Sequence, residues 1–562
     1  MAAGGWVAGA GTGFAVYLRL ASTRAVNSDG AAQALQAWDM LHGNLLLRGW
    51  TTSDVSFYTT ELPQYLLIEV ARGLGQDVVH VAAAMTYTLV VAAAALLAAG
   101  RARGRAAVAR GAIAAGIMLA PQLGSGTNVL LSSPDHLGTS VPLLLAWLVL
   151  DRAQPGWRVP VITSALLAWA AVADSIAVMA GIIPLASVCA LRIVRVLSAG
   201  DVTWQELGHR ALGGPHAPRA GHGGRHAPGR RHAVATATRR AVTQPGAGRY
   251  EAALGGGALV AAVAANLAVR GIHAAGGFGA RPLGVQVASA GEIFRHNLPL
   301  VGQCLLLLPG ADFLGLGGGV STLFVFLHLA GAGLAAAAIV IALRRPGRLD
   351  LVSQVLLAAI AINLAAFAAT NRVYAVSSAR EIAPVLPFAA ALAGRLLGGS
   401  LARAPGTGRG GWGARGVVPL ACLVIGGGYL AGLGYELTAP PAPAQAAPLT
   451  AWLEGHRLGT GLSGYWEASI VTLASGGRVA VRPVTVLDGR VVPAAGEVRG
   501  DWFAPGASAA HYVVLFPGVP GYPGFADRDA VTATFGRPAR VYQVGRYQVW
   551  YWRANLLSSI SH

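Results

Sequence analysis

Long apolar runs recur through the first 437 residues of the chain. A helix needs about 20 such residues to cross the hydrocarbon core of a bilayer. The pattern predicts eleven spans, at residues 3–21, 80–99, 109–124, 138–151, 159–174, 175–196, 252–270, 320–343, 351–369, 380–398 and 417–436. A further apolar stretch, 298–316, contains Pro309 and Asp312, and we expect a re-entrant or interfacial segment there.

The pattern changes after residue 437. Residues 438–448 form a Pro/Ala-rich linker, and the remaining stretches alternate in polarity and are rich in Val and aromatic residues. Such alternation between Gly, Pro and Asp predicts strands. The predicted fold is therefore mainly α: residues 1–437 form a polytopic membrane helix bundle, and 449–562 form a small α/β domain.

The composition supports a membrane protein. The 562 residues are 54% hydrophobic and only 12% charged, about half the charged fraction of a typical soluble domain. The net charge of +18 comes from arginine alone, since there is no lysine, which suggests a high-GC bacterial genome, and we infer an actinobacterial one. These arginines cluster in short loops, which is the positive-inside pattern and argues against a nucleic-acid partner.

Arginine placement predicts the sidedness of the loops. Residues 101–110, 199–250, 344–348 and 395–415 are the arginine-rich loops, expected in the cytoplasm. The N-terminus is then inside, while the first loop (22–79) and the C-terminal domain are extracytoplasmic. Arg19 and Arg24 oppose this assignment, since Arg19 lies at the predicted outer end of the first span and Arg24 follows it. We expect a multi-pass protein of the plasma membrane, with residues 1–21 kept as a span and not removed as a signal peptide.

Other potential ligands fit no defined site. Residues 199–250 are a low-complexity Gly/Pro/Arg/His stretch, predicted to be a disordered loop drawn to anionic lipid. Its five histidines have no metal-site spacing, although metal binding remains an alternative. The three cysteines lie far apart in apolar runs, and we expect them buried and unpaired. These are Cys189, Cys304 and Cys422.

The first loop carries most of the predicted outer acids. Apolar residues at a spacing of three or four predict a helix in "NSDGAAQALQAWDMLHGNLLLRGW" (27–50), lying flat on the membrane. Ser28 or Asp29 is expected to cap that helix. Asp39 and His42 are expected on its solvated face. Carboxylates near spans are costly, so function is the default hypothesis for them.

Several stretches resemble the GT-C-type membrane glycosyltransferases, the class of the protein mannosyltransferases and the lipid A aminoarabinose transferase. An Asp follows the first span, a horizontal helix lies in a long first loop, and a C-terminal outer domain ends the chain. "SSPDHLGTSVP" (132–142), "VADSIAVMAGIIPL" (172–185), "SSAREIAPVLPFAAALAGR" (377–395) and "GLSGYWEASIVTLASGGRVAVRPV" (461–484) are similar to further parts of that pattern.

The resemblance implies transfer of a sugar from a polyprenyl-phosphate donor to an extracytoplasmic glycan, lipid or protein acceptor. Asp29 matches the first-loop acid and is the expected general base. Arg380 is expected to bind the lipid phosphate. Asp135, His136 and Asp174 are expected to line the same substrate cavity. We expect no cofactor; a divalent metal among Asp29, Asp135 and His136 is the less favoured alternative.

Purely structural roles for these residues and other functions for the protein stay open. Asp29 is otherwise a helix cap, Asp135 caps the next span, and Arg380 contacts lipid head groups. In "GYWEAS", Tyr465, Trp466 and Glu467 either stack on carbohydrate or belong to the core of the domain. A transporter or flippase for a lipid-linked substrate would show internal repeats, which the chain lacks. A non-catalytic envelope-binding protein would not need the outer-loop acids.

Overall fold

The structure is a computed structural model. It describes residues 2–119, 127–198, 247–281, 284–314, 320–401, 412–504, 506, 508–518 and 524–560. Nearly all of the predicted disordered loop, its five histidines and the side chain of Cys422 lie outside the described part. Cys189 and Cys304 are buried free thiols, as predicted.

Helices make up most of the described chain before the linker. They are α1 (Ala2–Ala21), α2 (Ser28–Leu41), α3 (Leu62–Arg72), α4 (Gln76–Ala99), α5 (Gly104–Ile117), α6 (Thr127–Leu130), α7 (Ser140–Arg152), α8 (Arg158–Ala173), α9 (Ile183–Ser198), α10 (Ala247–Ala274), α11 (Ala290–Glu292), α12 (Leu298–Leu307), α13 (Val320–Arg344), α14 (Leu351–Ala368), α15 (Val385–Leu401) and α16 (Trp412–Leu437). Each of the eleven predicted spans overlaps one of these helices.

Fewer helices are long enough to cross a bilayer. Five described helices have the length and apolar composition required: Gln76–Ala99, Val178–Ser198, Gly248–Ala274, Phe324–Arg344 and Leu351–Ala368. A sixth is present if Val376–Ile382 and Val385–Gly399, bent by 61°, form one span. Pro384 lies at that bend, where a proline cannot donate its backbone hydrogen bond. The prediction of a membrane protein is thus supported, while eleven spans and their orientation remain predictions.

Small residues hold the bundle together closely. Helix α4 packs against α1, α5, α7 and α15, and most of its alanines are buried. On α15, a Cβ atom added to Gly394 would clash with the backbone carbonyl of Arg110. Small residues allow such backbone contact between helices where lipid offers no hydrophobic drive.

The C-terminal domain is a six-stranded mixed sheet with helices. Its strands are β3 (Thr460–Gly464), β4 (Ala480–Leu487), β5 (Arg490–Pro493), β7 (Tyr512–Leu515), β8 (Arg540–Val544) and β9 (Tyr547–Tyr551). Its helices are α17 (Ala447–Gly455), α18 (Tyr465–Ala474) and α19 (Arg528–Phe535). The strand order is β5-β4-β3-β7-β9-β8, with β4, β3 and β7 parallel. Strands β4, β7, β8 and β9 fall in the stretches 475–487, 511–516 and 540–552, where alternation predicts strands, whereas β3 and β5 lie outside them.

A second, three-stranded sheet joins this domain to loops of the bundle. Strand β1 (Trp50–Thr52) lies between β2 (Gly279–Ala280) and β6 (Val498–Arg499). The first loop, the 271–297 loop and the C-terminal domain therefore share backbone hydrogen bonds, and the loop ends are fixed relative to the domain.

The first loop is packed more tightly than the sequence suggests. Helix α2 buries its alanine-rich face and contacts α3 and α18, whereas Leu41 and Leu45 of the predicted apolar stripe are exposed. Asp39 is not solvated as predicted: its carboxylate accepts hydrogen bonds from Arg499 at 2.8 Å and from Trp50 at 2.8 Å. The apolar periodicity predicted where the helix lies in the sequence, but it did not show that another face of the helix packs against the C-terminal domain.

A buried ion pair fixes the end of α15 farthest from this domain. Arg395 pairs with Asp151 at 2.7 Å and Asp350 at 2.8 Å, and it donates to the carbonyl of Leu97 at 2.8 Å. The side chains of Arg395 and Asp151 are only 8% and 7% exposed. One guanidinium thereby links α15 to α4, α7 and the start of α14.

We predict that Arg395→Gln destabilises the bundle by about 3–5 kcal/mol, because it leaves the Asp151 carboxylate buried without its cation. The thermal unfolding midpoint in detergent should fall. Arg348→Gln removes an exposed arginine and should change little. Adding Asp151→Asn to Arg395→Gln should recover part of the lost stability. An unchanged midpoint in Arg395→Gln would contradict a stabilising role for this ion pair.

Candidate functional site

Asp29 lies in the first turn of α2, and its carboxylate does not cap the helix. The N-cap is Asn27, whose side-chain oxygen accepts a hydrogen bond from the backbone N–H of Gly30 at 2.8 Å. The Asn27 amide donates to Ser133 Oγ at 2.9 Å, which ties the helix to the second loop. The prediction that Ser28 or Asp29 caps the helix is therefore wrong.

Two distant segments hold the Asp29 carboxylate. Arg380 Nη1 lies 2.9 Å from Oδ2, and the hydroxyl of Tyr465 donates to Oδ1. The Asp29 and Arg380 side chains retain 20% and 30% exposure, so the pair is reachable from solvent. The ion pair joins the first loop to the 3₁₀ helix Val376–Ile382, and the hydroxyl joins both to the C-terminal domain.

Asp135 is a strained, buried acid beside this pair. Its φ of 37° lies in the left-handed region, which non-glycine residues seldom adopt. Burial and the negative charge of Asp29 raise the pKa of Asp135, while Arg380 and a hydrogen bond from Ser133 lower it. Backbone strain of this kind is concentrated at functional sites, where the surrounding structure must enforce it.

His136 forms a buried ion pair with Asp174. His136 Nδ1 lies 2.9 Å from Asp174 Oδ2, which also accepts from Thr139 at 2.8 Å. Burial opposes the charged ring, but Asp174 and Glu381 overcome it and raise the pKa of His136 to about 10. The imidazolium is therefore a fixed cation near neutral pH and is unsuited to act as a general base.

Asp174 lies where the sequence places it, at the break between α8 and α9. It ends α8, and its Oδ1 accepts the backbone N–H of Ile176 at 2.9 Å. The chain then turns through a π-helix, Val178–Ile182, into α9. The break between the two helices therefore presents a buried carboxylate.

Further charges continue the network from His136. Glu381 lies 3.8 Å from His136 Nε2 and 4.0 Å from Arg372 Nη1. Arg372 also pairs with Asp54 of the first loop. Alternating acids and bases thus connect three loops at the same end of the bundle.

Two more acids are buried nearby. Glu61 hydrogen-bonds Thr60, and burial raises its pKa well above the usual range. Glu497 enters from the C-terminal domain, where it accepts from Gln36 of α2 and from the backbone N–H of Ser53 at 2.8 Å. Burial raises the pKa of Glu497 to about 7 against those hydrogen bonds. Its side chain connects the domain to the helix that carries Asp29.

A cavity of about 420 Å³ opens beside the N-terminus of α2. It lies between the first loop, the linker and the C-terminal domain, and Asn27, Ser28, Trp466, Glu467 and Arg546 are among its lining residues. Glu467 is 1% exposed and accepts from Tyr547 at 2.7 Å and from Arg546. Hydrogen-bonding groups, the aromatic rings of Trp466 and Phe516 and several apolar side chains line the cavity together.

A second cavity, of about 410 Å³, is almost wholly apolar. It lies among α5, α12, α13, α14 and α15 in the bundle. Val385 and Leu386, which begin α15, line it, and they follow the 3₁₀ helix of Arg380 directly. An apolar groove therefore begins near the cation of the site.

The structure brings the five predicted site residues into one region of loops. Asp29, Arg380 and Asp135 interact with one another, and His136 and Asp174 form the adjoining pair. Their roles remain predictions. In the described part of the chain, no group of three or more His, Cys, Asp or Glu side chains has metal-binding geometry.

Sequence reasoning missed other members of this region. The sequence leaves Tyr465 as a core residue or a stacking surface, but its hydroxyl contacts Asp29. The predicted site also does not include Glu61, Asp54, Glu497 or Arg372. Tyr465 and Asp29 are separated by 436 positions, so no local pattern could pair them.

Comparison with known proteins adds little. No protein-family model and no curated protein sequence matches the chain. Among solved structures, the chain is similar to an oligosaccharyltransferase from Archaeoglobus fulgidus in complex with zinc and sulfate. The TM-score is 0.42 at 14% identity, over 87% of this chain and 64% of that one. This chain therefore spans less than two thirds of that protein's length.

The His136–Asp174 pair predicts a pH-dependent stability. The folded-state pKa of about 10 lies above the ordinary value of 6.5, so protonated His136 stabilises the fold fully below pH 6.5. That stabilisation is lost as the pH rises from 6.5 to 10. Thermal midpoints of the wild type should fall across this window more steeply than those of His136→Gln. Parallel curves would contradict a charged His136.

Proposed function

We propose that the protein is a membrane glycosyltransferase that moves a sugar from a polyprenyl-phosphate donor to an extracytoplasmic acceptor. The observation that carries this proposal is the Asp29 carboxylate, held between Arg380 and Tyr465 at the loop end of the helix bundle. A carboxylate beside a phosphate-binding cation is what transfer from a lipid phosphate requires. The sequence resemblance to GT-C enzymes supports the same reaction.

The donor would lie across the two chemically different parts of the site. Its phosphate would accept hydrogen bonds from the planar fork of Arg380, which suits phosphate oxygens. Its polyprenyl tail would occupy the apolar cavity that begins at Val385 and Leu386. The charged head and the apolar tail of the donor would then contact consecutive segments of the chain.

Transfer would take place in one displacement at the anomeric carbon. The acceptor hydroxyl oxygen attacks that carbon, its proton passes to Asp29, and the bond from the carbon to the phosphate oxygen breaks. The electron pair leaves with the polyprenyl phosphate, whose growing charge Arg380 stabilises. Because Arg380 is paired with Asp29 before the donor binds, phosphate that draws the guanidinium away would leave Asp29 a stronger base.

The acceptor would enter through the cavity between the first loop and the C-terminal domain. Asn27 and Ser28 line that cavity and directly precede Asp29 in the chain. Its hydrogen-bonding groups and Trp466 suit a hydroxyl-bearing acceptor, since sugars offer both hydrogen-bonding groups and C–H faces for an aromatic ring. Donor and acceptor would then approach Asp29 from different cavities.

Asp29→Asn tests the proposed base. The amide cannot take a proton, so sugar transfer should fall by about 10²–10⁴-fold while the protein still accumulates in membranes. A deletion strain should accumulate the lipid-linked sugar and lose the matching glycan. Complementation with wild type should reverse both changes, and complementation with Asp29→Asn should not.

Asp77→Asn is the matched control, because Asp77 is an exposed carboxylate that pairs with exposed Arg72 at 2.7 Å. It should complement fully. Near-normal transfer by Asp29→Asn at equal protein level would refute the base, and unchanged lipid-linked sugars in the deletion strain would refute the transferase.

Substitutions of Arg380 distinguish phosphate binding from simple contact with lipid head groups. Arg380→Lys keeps a positive charge but loses the planar fork, so the KM for the lipid-linked donor should rise about tenfold or more. Arg380→Gln should lower transfer further. A lysine variant with wild-type kinetics would instead indicate that Arg380 only reaches the head groups.

A further inference from the structure

A cleft on the C-terminal domain is separate from the Asp29 region. It lies where α17 crosses the edge strand β8, with a volume of about 330 Å³. Its lining residues are Trp452, His456, Leu458, Ala539, Arg540, Tyr542, Tyr551 and Arg553. We refer to this group as the edge cleft.

Aromatic rings form one wall of the edge cleft. The rings of Trp452 and His456 are stacked with centroids 3.9 Å apart, and Tyr542 lies 5.0 Å from Trp452. His456 Nδ1 is 2.8 Å from the carbonyl of Trp452, so Nδ1 donates to it and Nε2 is the nitrogen left for a ligand. The wall is therefore preorganised, and its rings can accept the C–H face of a sugar.

The other feature of the edge cleft is uncompensated positive charge. Arg540 and Arg553 are exposed, and neither has a carboxylate within 4 Å among the described residues. Glu454, which lies between Trp452 and His456 in the chain, forms an ion pair with Arg478 at 2.9 Å. Neither guanidinium is paired with a carboxylate in the described part of the chain, and Arg540 Nη1 donates to the Tyr542 hydroxyl at 3.4 Å. Two such guanidinium forks beside aromatic rings favour a ligand with carboxylate groups on a ring scaffold.

We propose that the edge cleft binds an acidic glycan, a sugar chain bearing carboxylates such as a uronate polymer. The rings would stack on its sugar faces, and Arg540 and Arg553 would pair with its carboxylates. A concave site with a polar lining suits a sugar chain better than a bilayer surface, which binds protruding apolar and basic residues. The site would hold an envelope polymer against the domain, and this binding does not depend on the proposed transferase activity.

The test uses the purified full-length protein in detergent and a galacturonate hexamer titrated by calorimetry. Arg540→Gln with Arg553→Gln should weaken hexamer binding about 10–100-fold, as expected when hydrogen bonds to charged groups are lost. Added salt should weaken wild-type binding, and neutral maltohexaose should bind poorly. All three altered side chains, control included, are exposed, so thermal midpoints should not move.

Arg490→Gln is the matched control, since Arg490 is an exposed arginine on β5, the opposite edge of the same sheet. It should bind the hexamer like the wild type. Equal affinity in the double variant, or equal loss in Arg490→Gln, would overturn the proposal. So would a cleft-dependent affinity for phosphatidylglycerol vesicles without affinity for the hexamer, which would assign the cleft to lipid.

Discussion

One carboxylate, Asp29, is the point on which three parts of the molecule depend. It accepts a hydrogen bond from Tyr465 of the C-terminal domain and pairs with Arg380 of the helix bundle. A partly buried charge must be paired, because an unpaired one costs several kcal/mol. The contact therefore favours only arrangements in which the first loop lies between the bundle and the domain. It also leaves the acid accessible, since its partners cover it only in part.

The charges around Asp29 follow from the same constraint. The acids of this region are stabilised by a cation or by hydrogen bonds. Buried Asp174 pairs with His136, half-buried Asp54 pairs with Arg372, and buried Glu497 accepts backbone and amide hydrogen bonds while burial raises its pKa to about 7. Such fixed charges need no reorganisation when a charged substrate arrives, which is how preorganised sites stabilise developing charge. His136, held as a cation, contributes charge to the region and not proton transfer.

The C-terminal domain is part of the candidate site, because its residues hold the first loop in position. Its α18 packs on α2, its Glu497 reaches Gln36, and its strand β6 pairs with β1 of the first loop. Each contact fixes the first loop from a different direction. The domain also carries the edge cleft, so a polymer bound there would be tethered to the same domain that lines the cavity beside Asp29.

Hydropathy and alternation along the sequence were enough to predict the long apolar helices of the bundle, four of the six strands in the C-terminal sheet and the helix that carries Asp29. These patterns are local, because burial of one face repeats every 3.6 residues in a helix and every two in a strand. They could not assign Asn27 as the cap, pair Asp39 with Arg499, or bring Tyr465 to Asp29. Those contacts join residues whose positions depend on which helix faces meet, and only the packing of the whole chain decides that.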